Sequence, residues 1–280
     1  MKFHRYHALG NDYLVIRASD LSVPLTPQVA RLICHRNFGI GSDGILVDED
    51  SERGESFRLR IINPDGSEAE KSGNGLRIFA RYLWDNKLVS DKPFSVDTAG
   101  GRVSCLVSRH GKLVTVDMGR VSFQSKDIPL TGPSREAINE ELEISGQRVR
   151  FCAATVGNPH CVVLNLDSTE STAKAFGPLL EVHPLFPNRT NVQFLKVVDR
   201  NTISIEIWER GAGYTLASGS SSSAAAAVAH KLSLVDSNVT VRMPGGNLRI
   251  EISPTFEIRM EGPVTRVGTI EFDAEALEGA

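Results

Sequence analysis

Apolar residues recur along this chain in two rhythms. Strand-like runs fall at 13–16, 45–47, 57–62, 94–96, 102–107 and 113–118. Between them, Leu76, Phe79, Ala80 and Leu83 stand at helical spacing, which predicts a helix over about 73–85 with one apolar face. A shorter helix is predicted over 27–35, with Thr26 as N-cap and Pro27 at its first position. The second half follows the same order. Strands are predicted at 151–156, 161–166, 191–198, 203–208, 239–243 and 247–252, with helices over 169–180 and about 219–232. The run 224–229 is apolar all round, so its helix should be buried on most sides. The stretch 128–143 is polar, carries Gly132-Pro133, and reads as a linker. The tail after Phe272 is acidic and Gly/Ala-rich, and is expected to fray.

The repetition extends to particular residues. Ser72-Gly73 and Ser218-Gly219 lie 146 positions apart, each between a polar Gly-rich loop and an apolar helical run. Gly10-Asn11 matches Gly157-Asn158 at an offset of 147, and Gly100-Gly101 matches Gly245-Gly246 at 145. Landmarks held in order at one offset argue for two homologous halves. We therefore expect an α/β protein of two strand-rich domains, 1–127 and 128–280, each with one central helix, and with room for a terminal strand to cross between them.

Composition narrows the function classes. The chain has 280 residues, is 41% hydrophobic and carries a net charge of −3 with both signs interspersed. That suits two ordinary cores and argues against nucleic acid or an anionic membrane as partner. No apolar run approaches the ~20 residues of a membrane span, and the first residues lack an apolar signal core. The four cysteines show neither CxxC spacing nor the density of a secreted framework, and read as buried hydrophobes of a cytoplasmic protein.

The two Ser-Gly turns carry the candidate chemistry. A helix begins with about four unpaired N–H groups and roughly half a positive charge. Gly73-Asn74 and Gly219-Ser220 are thus candidate anion cradles. If the halves face each other, both helix starts can address one carboxylate. The competing reading is that Ser72 and Ser218 are plain helix caps. Duplication favours a site, without fixing the role of the hydroxyls.

The chain resembles the diaminopimelate epimerase family over nearly its whole length. The resemblance rests on LGNDY at 9–13, FGIGSDG at 38–44, NPDGSEAE at 63–70, SGNGLR at 72–77, GNPH at 157–160, TNV at 190–192 and ERGAG at 209–213. It implies two similar domains, each a mostly antiparallel, barrel-like sheet around a central helix. It also implies an amino-acid epimerase or racemase that uses no metal and no pyridoxal phosphate, with LL-diaminopimelate as leading substrate, in the route to lysine and peptidoglycan. Its family members are often homodimers. Gly73, Asn74, Gly219 and Ser220 would bind the reacting α-carboxylate. Asn11, Asn63, Asn158, Asn191 and Arg210 would hold the distal end of the substrate. His160 and Glu209 would sit near the amino group. Read without the resemblance, Asn11, Asn63 and Asn158 are also ordinary turn residues, Glu209-Arg210 a solvated pair and His160 a structural hydrogen-bonder.

The family has two cysteines where this chain has Ser72 and Ser218, and usually a Glu where it has Tyr214. A thiol at a helix N-terminus can ionise near neutrality, whereas an alkyl hydroxyl needs an adjacent base. His160 is the favoured base on sequence grounds; Lys71 is expected to be solvated. The serines fit a divergent natural branch with altered base chemistry, a deliberate Cys-to-Ser exchange, or a binding homologue without turnover. One-sided proton removal leading to elimination or isomerisation is a further enzyme reading.

Overall fold

The computed structural model describes residues 1–49, 52 and 56–277. They form two compact units, Met1–Asp117 with Glu261–Ala280, and Met118–Met260.

In the first unit, β1 (Lys2–Ala8) and β2 (Asn11–Arg17) form a hairpin, followed by α1 (Pro27–Cys34), β3 (Ile45–Asp48), β4 (Ser56–Ile62) and the short β5 (Glu68–Ala69). Then come α2 (Gly73–Asp85), β6 (Phe94–Thr98), β7 (Gly101–Ser108) and β8 (Leu113–Arg120). The second unit holds β9 (Glu140–Ile144), β10 (Gln147–Thr155), β11 (Pro159–Val163), α3 (Glu170–Glu181), β12 (Asn191–Asp199) and β13 (Thr202–Glu209). It continues through β14 (Gly213–Thr215), α4 (Gly219–Lys231), β15 (Asn238–Met243), β16 (Gly246–Ile252) and β17 (Glu257–Pro263). The closing strand, β18 (Thr265–Glu271), returns to the first unit and pairs with β1.

The pairing pattern is the same in both units. β2 pairs antiparallel with β1 and parallel with β3, as β11 does with β10 and β12. β4 pairs antiparallel with β3 and β5 and parallel with β6, as β13 does with β12, β14 and β15. Parallel neighbours need a crossover, and each parallel pair has a helix between its strands. The pairs β6–β7, β7–β8, β9–β10, β15–β16 and β1–β18 are antiparallel, and α2 and α4 occupy equivalent places in the strand order. The apolar face of α2 is buried, and Ala224 to Ala229 of α4 have no exposed surface, as their composition predicts.

Three expectations change. The stretch 128–143 is not a linker: Ile128, Leu130, Ala137 and Leu142 belong to the core of the second unit beside Phe151 and Phe194. Its scattered polar residues disguise buried apolar ones, and β9 pairs with β10. For the same reason the units divide at 117/118 rather than 127/128. Val121 donates its N–H to the Phe256 carbonyl, and Phe123 meets the Phe256 ring edge-on at 5.1 Å. The tail is held as far as it is described. A 3-10 turn at Glu275–Leu277 packs against the core that contains Phe3, Ile33 and Phe272; residues 278–280 lie outside the described residues.

Candidate functional site

In the first unit the candidate site is built at the start of α2. Ser72 is the N-cap in extended conformation, and its Oγ accepts from the Gly75 N–H at 3.0 Å. A Cβ at Gly75 would stand 3.3 Å from that oxygen, so the glycine leaves the capping hydroxyl room. The Tyr13 hydroxyl, from β2, lies 3.5 Å from Ser72 Oγ. Asn11, from the same strand, accepts from Asn74 Nδ2 at 2.9 Å and donates to Asp43 Oδ2 at 2.9 Å. Arg36 bridges Asp43 and Asp12, and Arg5 also holds Asp12. On the other side of Asn74, the fully buried Arg77 donates to Asn74 Oδ1 at 2.8 Å. Lys71 is half-buried rather than solvated, and burial lowers its pKa.

The second unit repeats this arrangement with different side chains. Ser218 caps α4, and its Oγ accepts from the Ser221 N–H at 3.4 Å, a longer cap than that of Ser72. Asn158, the counterpart of Asn11, donates to Ser220 Oγ at 3.5 Å. In both units, then, the asparagine of the Gly-Asn turn reaches the second residue of the helix. The Gly-Gly turns repeat a contact too. Gly100 N–H donates to the Glu70 carbonyl and Gly245 N–H to the Leu216 carbonyl, both at 2.8 Å and both two residues before the capping serine. A Cβ on Gly100 would stand 2.9 Å from that carbonyl oxygen, which explains the glycine there.

His160, on β11, is wholly buried. Its Nε2 lies 3.0 Å from Asn158 Oδ1 and its Nδ1 lies 3.1 Å from Gln193 Nε2. A carbonyl oxygen on one side and an amide donor on the other specify one neutral tautomer, with the proton on Nε2. Burial pushes the pKa down to about 3, with Arg210 adding a smaller push the same way. The nitrogen that would accept a proton is already occupied. His160 thus has the properties of a neutral, rigid positioning group, not those of the base the sequence suggested. Gln193 also donates to Ser221 Oγ at 3.0 Å, which ties this network to α4.

Three of the remaining candidates, Asn191, Glu209 and Arg210, lie around β13. Asn191 donates to the Pro159 carbonyl at 2.9 Å and accepts from the Arg210 backbone N–H at 3.0 Å. Glu209 accepts from Thr215 Oγ1 at 3.3 Å, and the Arg210 guanidinium donates to the Asn188 carbonyl. Behind them, Glu181 of α3 takes the Gly211 N–H at 2.9 Å and the Trp208 indole at 2.8 Å, which fixes the turn that carries Arg210. Tyr214 is directed elsewhere: its hydroxyl donates to Glu206 at 2.7 Å and its ring lies under Lys174. Asn63 donates to Ser67 Oγ at 2.9 Å inside its own turn, which the Arg31 side chain ties to α1 through the Asp65 carbonyl.

Sequence reasoning missed Tyr13, Asp43, Arg77, Glu181 and Gln193. Gln193 had a signal, since it stands two residues after Asn191 and so shares its strand face. All four cysteines are buried, and burial raises the thiol of Cys105 to about 12, which leaves them poor nucleophiles. Among the described residues no group of His, Cys, Asp and Glu could hold a metal ion, and no helix is long and apolar enough to cross a membrane.

Comparison with known proteins shows the family and the fold. The family model for diaminopimelate epimerase matches residues 3–124 and 152–267. The chain is 61% identical to diaminopimelate epimerase 2 of Nostoc sp. over 98% of its own length and 96% of that protein's. It is 40% identical to diaminopimelate epimerase of Moorella thermoacetica, covering 95% and 97% of the two chains. Among solved structures it shares its fold with a probable proline racemase from Agrobacterium radiobacter, with a TM-score of 0.72 at 14% identity over 99% of this chain and 94% of that one. It likewise matches a hydroxyproline epimerase from Agrobacterium vitis, with a TM-score of 0.67 at 15% identity over 96% and 90%. The chain belongs to the diaminopimelate epimerase family and is an amino-acid epimerase of that type.

Proposed function

We propose that this protein interconverts LL- and meso-diaminopimelate without a cofactor, by removing the α-proton on one face and returning a proton on the other. Ser72 and Ser218 hold the two acid/base positions. Backbone N–H groups of Gly73, Asn74, Gly219 and Ser220 bind the α-carboxylate and stabilise the charge that develops at the α-carbon. Asn11, Asn63, Asn158, Asn191 and Arg210 hold the distal amino-acid group, where the guanidinium can grip a carboxylate with two parallel bonds. His160, neutral, and Glu209 orient the amino group. The same reading makes the protein a cytoplasmic homodimer.

The observation that carries the reading is the duplicated constellation: a serine-capped helix start whose second residue is held by the asparagine of a Gly-Asn turn, once in each unit. One observation favours a second reading, a pocket that binds the amino acid without turnover. His160 is neutral and engaged at both ring nitrogens, so Ser218 gains no base from it. The discriminating experiment is incubation with LL-diaminopimelate in deuterium oxide, with calorimetry in parallel. Deuterium at the α-carbon together with meso product supports the epimerase. Binding heat with no label in any of a broad panel of amino acids supports the silent pocket and removes the first reading.

A further inference from the structure

The two helix starts differ in one buried charge, and the difference bears on how the two acid/base positions divide their work. Arg77 is the fifth residue of α2 and is fully buried. Its Nη1 donates to the Gly73 carbonyl at 3.4 Å and its Nη2 to Asn74 Oδ1 at 2.8 Å. In the second unit the position 146 residues on is Ser223, whose Oγ donates to the Gly219 carbonyl at 2.8 Å. Both side chains thus hold the carbonyl of the first helical residue, but only one brings a positive charge. Burial lowers the Arg77 pKa to about 9, which still leaves the guanidinium protonated at neutral pH.

Arg77 also ends a polarised chain. It donates to the Asn74 oxygen, the Asn74 amide donates to the Asn11 oxygen, and the Asn11 amide donates to Asp43. A cation at one end and a carboxylate at the other leave each amide a single orientation. The oxygen of Asn158 instead faces neutral His160, and Asn158 meets Ser220, a hydroxyl, where Asn11 meets an amide.

We propose that Arg77 is a positioning residue for the Ser72 half of the site: it fixes the Asn74–Asn11 amide chain and adds positive charge to the α2 N-terminus, so that an acid at position 72 ionises more readily than one at position 218. The inference rests on the proton-transfer reading of Ser72 and Ser218. With serine at both positions each hydroxyl is protonated at rest, and position 72 is the one from which a proton is more readily lost.

The charges that bear on position 72 are Arg77, Lys71, and Asp43 through Asn11; the Tyr13 hydroxyl faces it from β2, and Asp117 and the Cys105 thiol act on Lys71. Ser218 Oγ itself meets the Ser220 hydroxyl and the Ser221 N–H; farther out, Asn158 faces neutral His160, Arg210 acts on His160, and Glu209 takes the Thr215 hydroxyl. The contribution of Lys71 has to be removed, because the position 146 residues on is Ala217.

The test reads ionisation directly and needs no turnover. Two single-site variants, Ser72→Cys and Ser218→Cys, are made with Lys71→Met, and the alkylation rate by iodoacetamide is followed against pH. The unmodified chain gives the background from the four buried cysteines. The thiol introduced at 72 should titrate below the thiol introduced at 218. Arg77→Gln should raise the first midpoint by about one pH unit and leave the second in place, while Arg77→Lys restores part of the shift. Equal midpoints in the two thiol variants overturn the proposal, as does an Arg77→Gln chain that folds and keeps its midpoint at 72. Should Arg77→Gln not fold, the comparison between positions 72 and 218 decides alone. Failure of the isotope experiment above with these midpoints as expected would remove the epimerase reading and leave the role of Arg77 standing.

Discussion

His160 shows how far a single residue's setting decides its chemistry. Its unfolded pKa is the ordinary 6.5, and burial holds it near 3 in the native protein. Between those values the unfolded chain carries one more proton than the native one. Stability from this group is therefore complete above 6.5 and falls as pH drops, by about 1.4 kcal/mol per pH unit. His160→Gln should flatten the slope of unfolding free energy against pH between about pH 4.5 and 6.5, as read by urea denaturation. An unchanged slope would mean that the imidazole charges freely and is not the neutral group described. The serines make a second case. A hydroxyl at a helix start gains donors but stays a weak acid, whereas a thiol there ionises near neutrality. Ser72→Cys combined with Ser218→Cys should raise the epimerisation rate of LL-diaminopimelate by tenfold or more, on the order of 1.4 kcal/mol in barrier. No gain would show that other residues of the pocket have diverged as well; Tyr214, already bonded to Glu206, is the residue to examine. At this scale the sequence revealed residue types but not their partners. His160 looked like a base because its burial and its Gln193 partner, which comes from the neighbouring strand β12, leave no mark on the local sequence.

Secondary-structure elements were more legible, because local patterns specify them. The apolar stripe at Leu76, Phe79, Ala80 and Leu83 and the all-round apolar run in α4 predicted both central helices to within a residue or two. The polar stretch 128–143 was misread because the residues that anchor it, Ile128, Leu130 and Ala137, are spaced by loops and follow neither period. The Gly-Gly turns gain a structural meaning that their sequence lacked: each hairpin holds the backbone two residues ahead of a capping serine. Gly100→Ala should therefore lower stability by about 1–3 kcal/mol, since its Cβ meets a backbone carbonyl that cannot rotate away. Ser72→Ala should cost about 1 kcal/mol through the lost cap. Thermal melts of both variants check this. A Gly100→Ala chain as stable as the parent would mean that the hairpin does not fix the approach to α2.

At the scale of the molecule, the repeat seen in the sequence is also a repeat of strand pairings, helix crossovers and side-chain contacts. The first unit completes its sheet with β18 from the far end of the chain, next to β1, and the second opens with β9, next to β10. No local pattern announces that exchange, because β18 is largely exposed and β1 mixes polar with apolar residues. The proposed reaction takes the α-proton from one face and returns a proton to the other. It is tested most directly by following where solvent deuterium goes during the first turnovers of LL-diaminopimelate in deuterium oxide. Two groups that remove and return the proton from different sides place deuterium in the product and leave recovered substrate unlabelled. Deuterium in recovered substrate as early as in product would mean that one group does both, and would contradict the account.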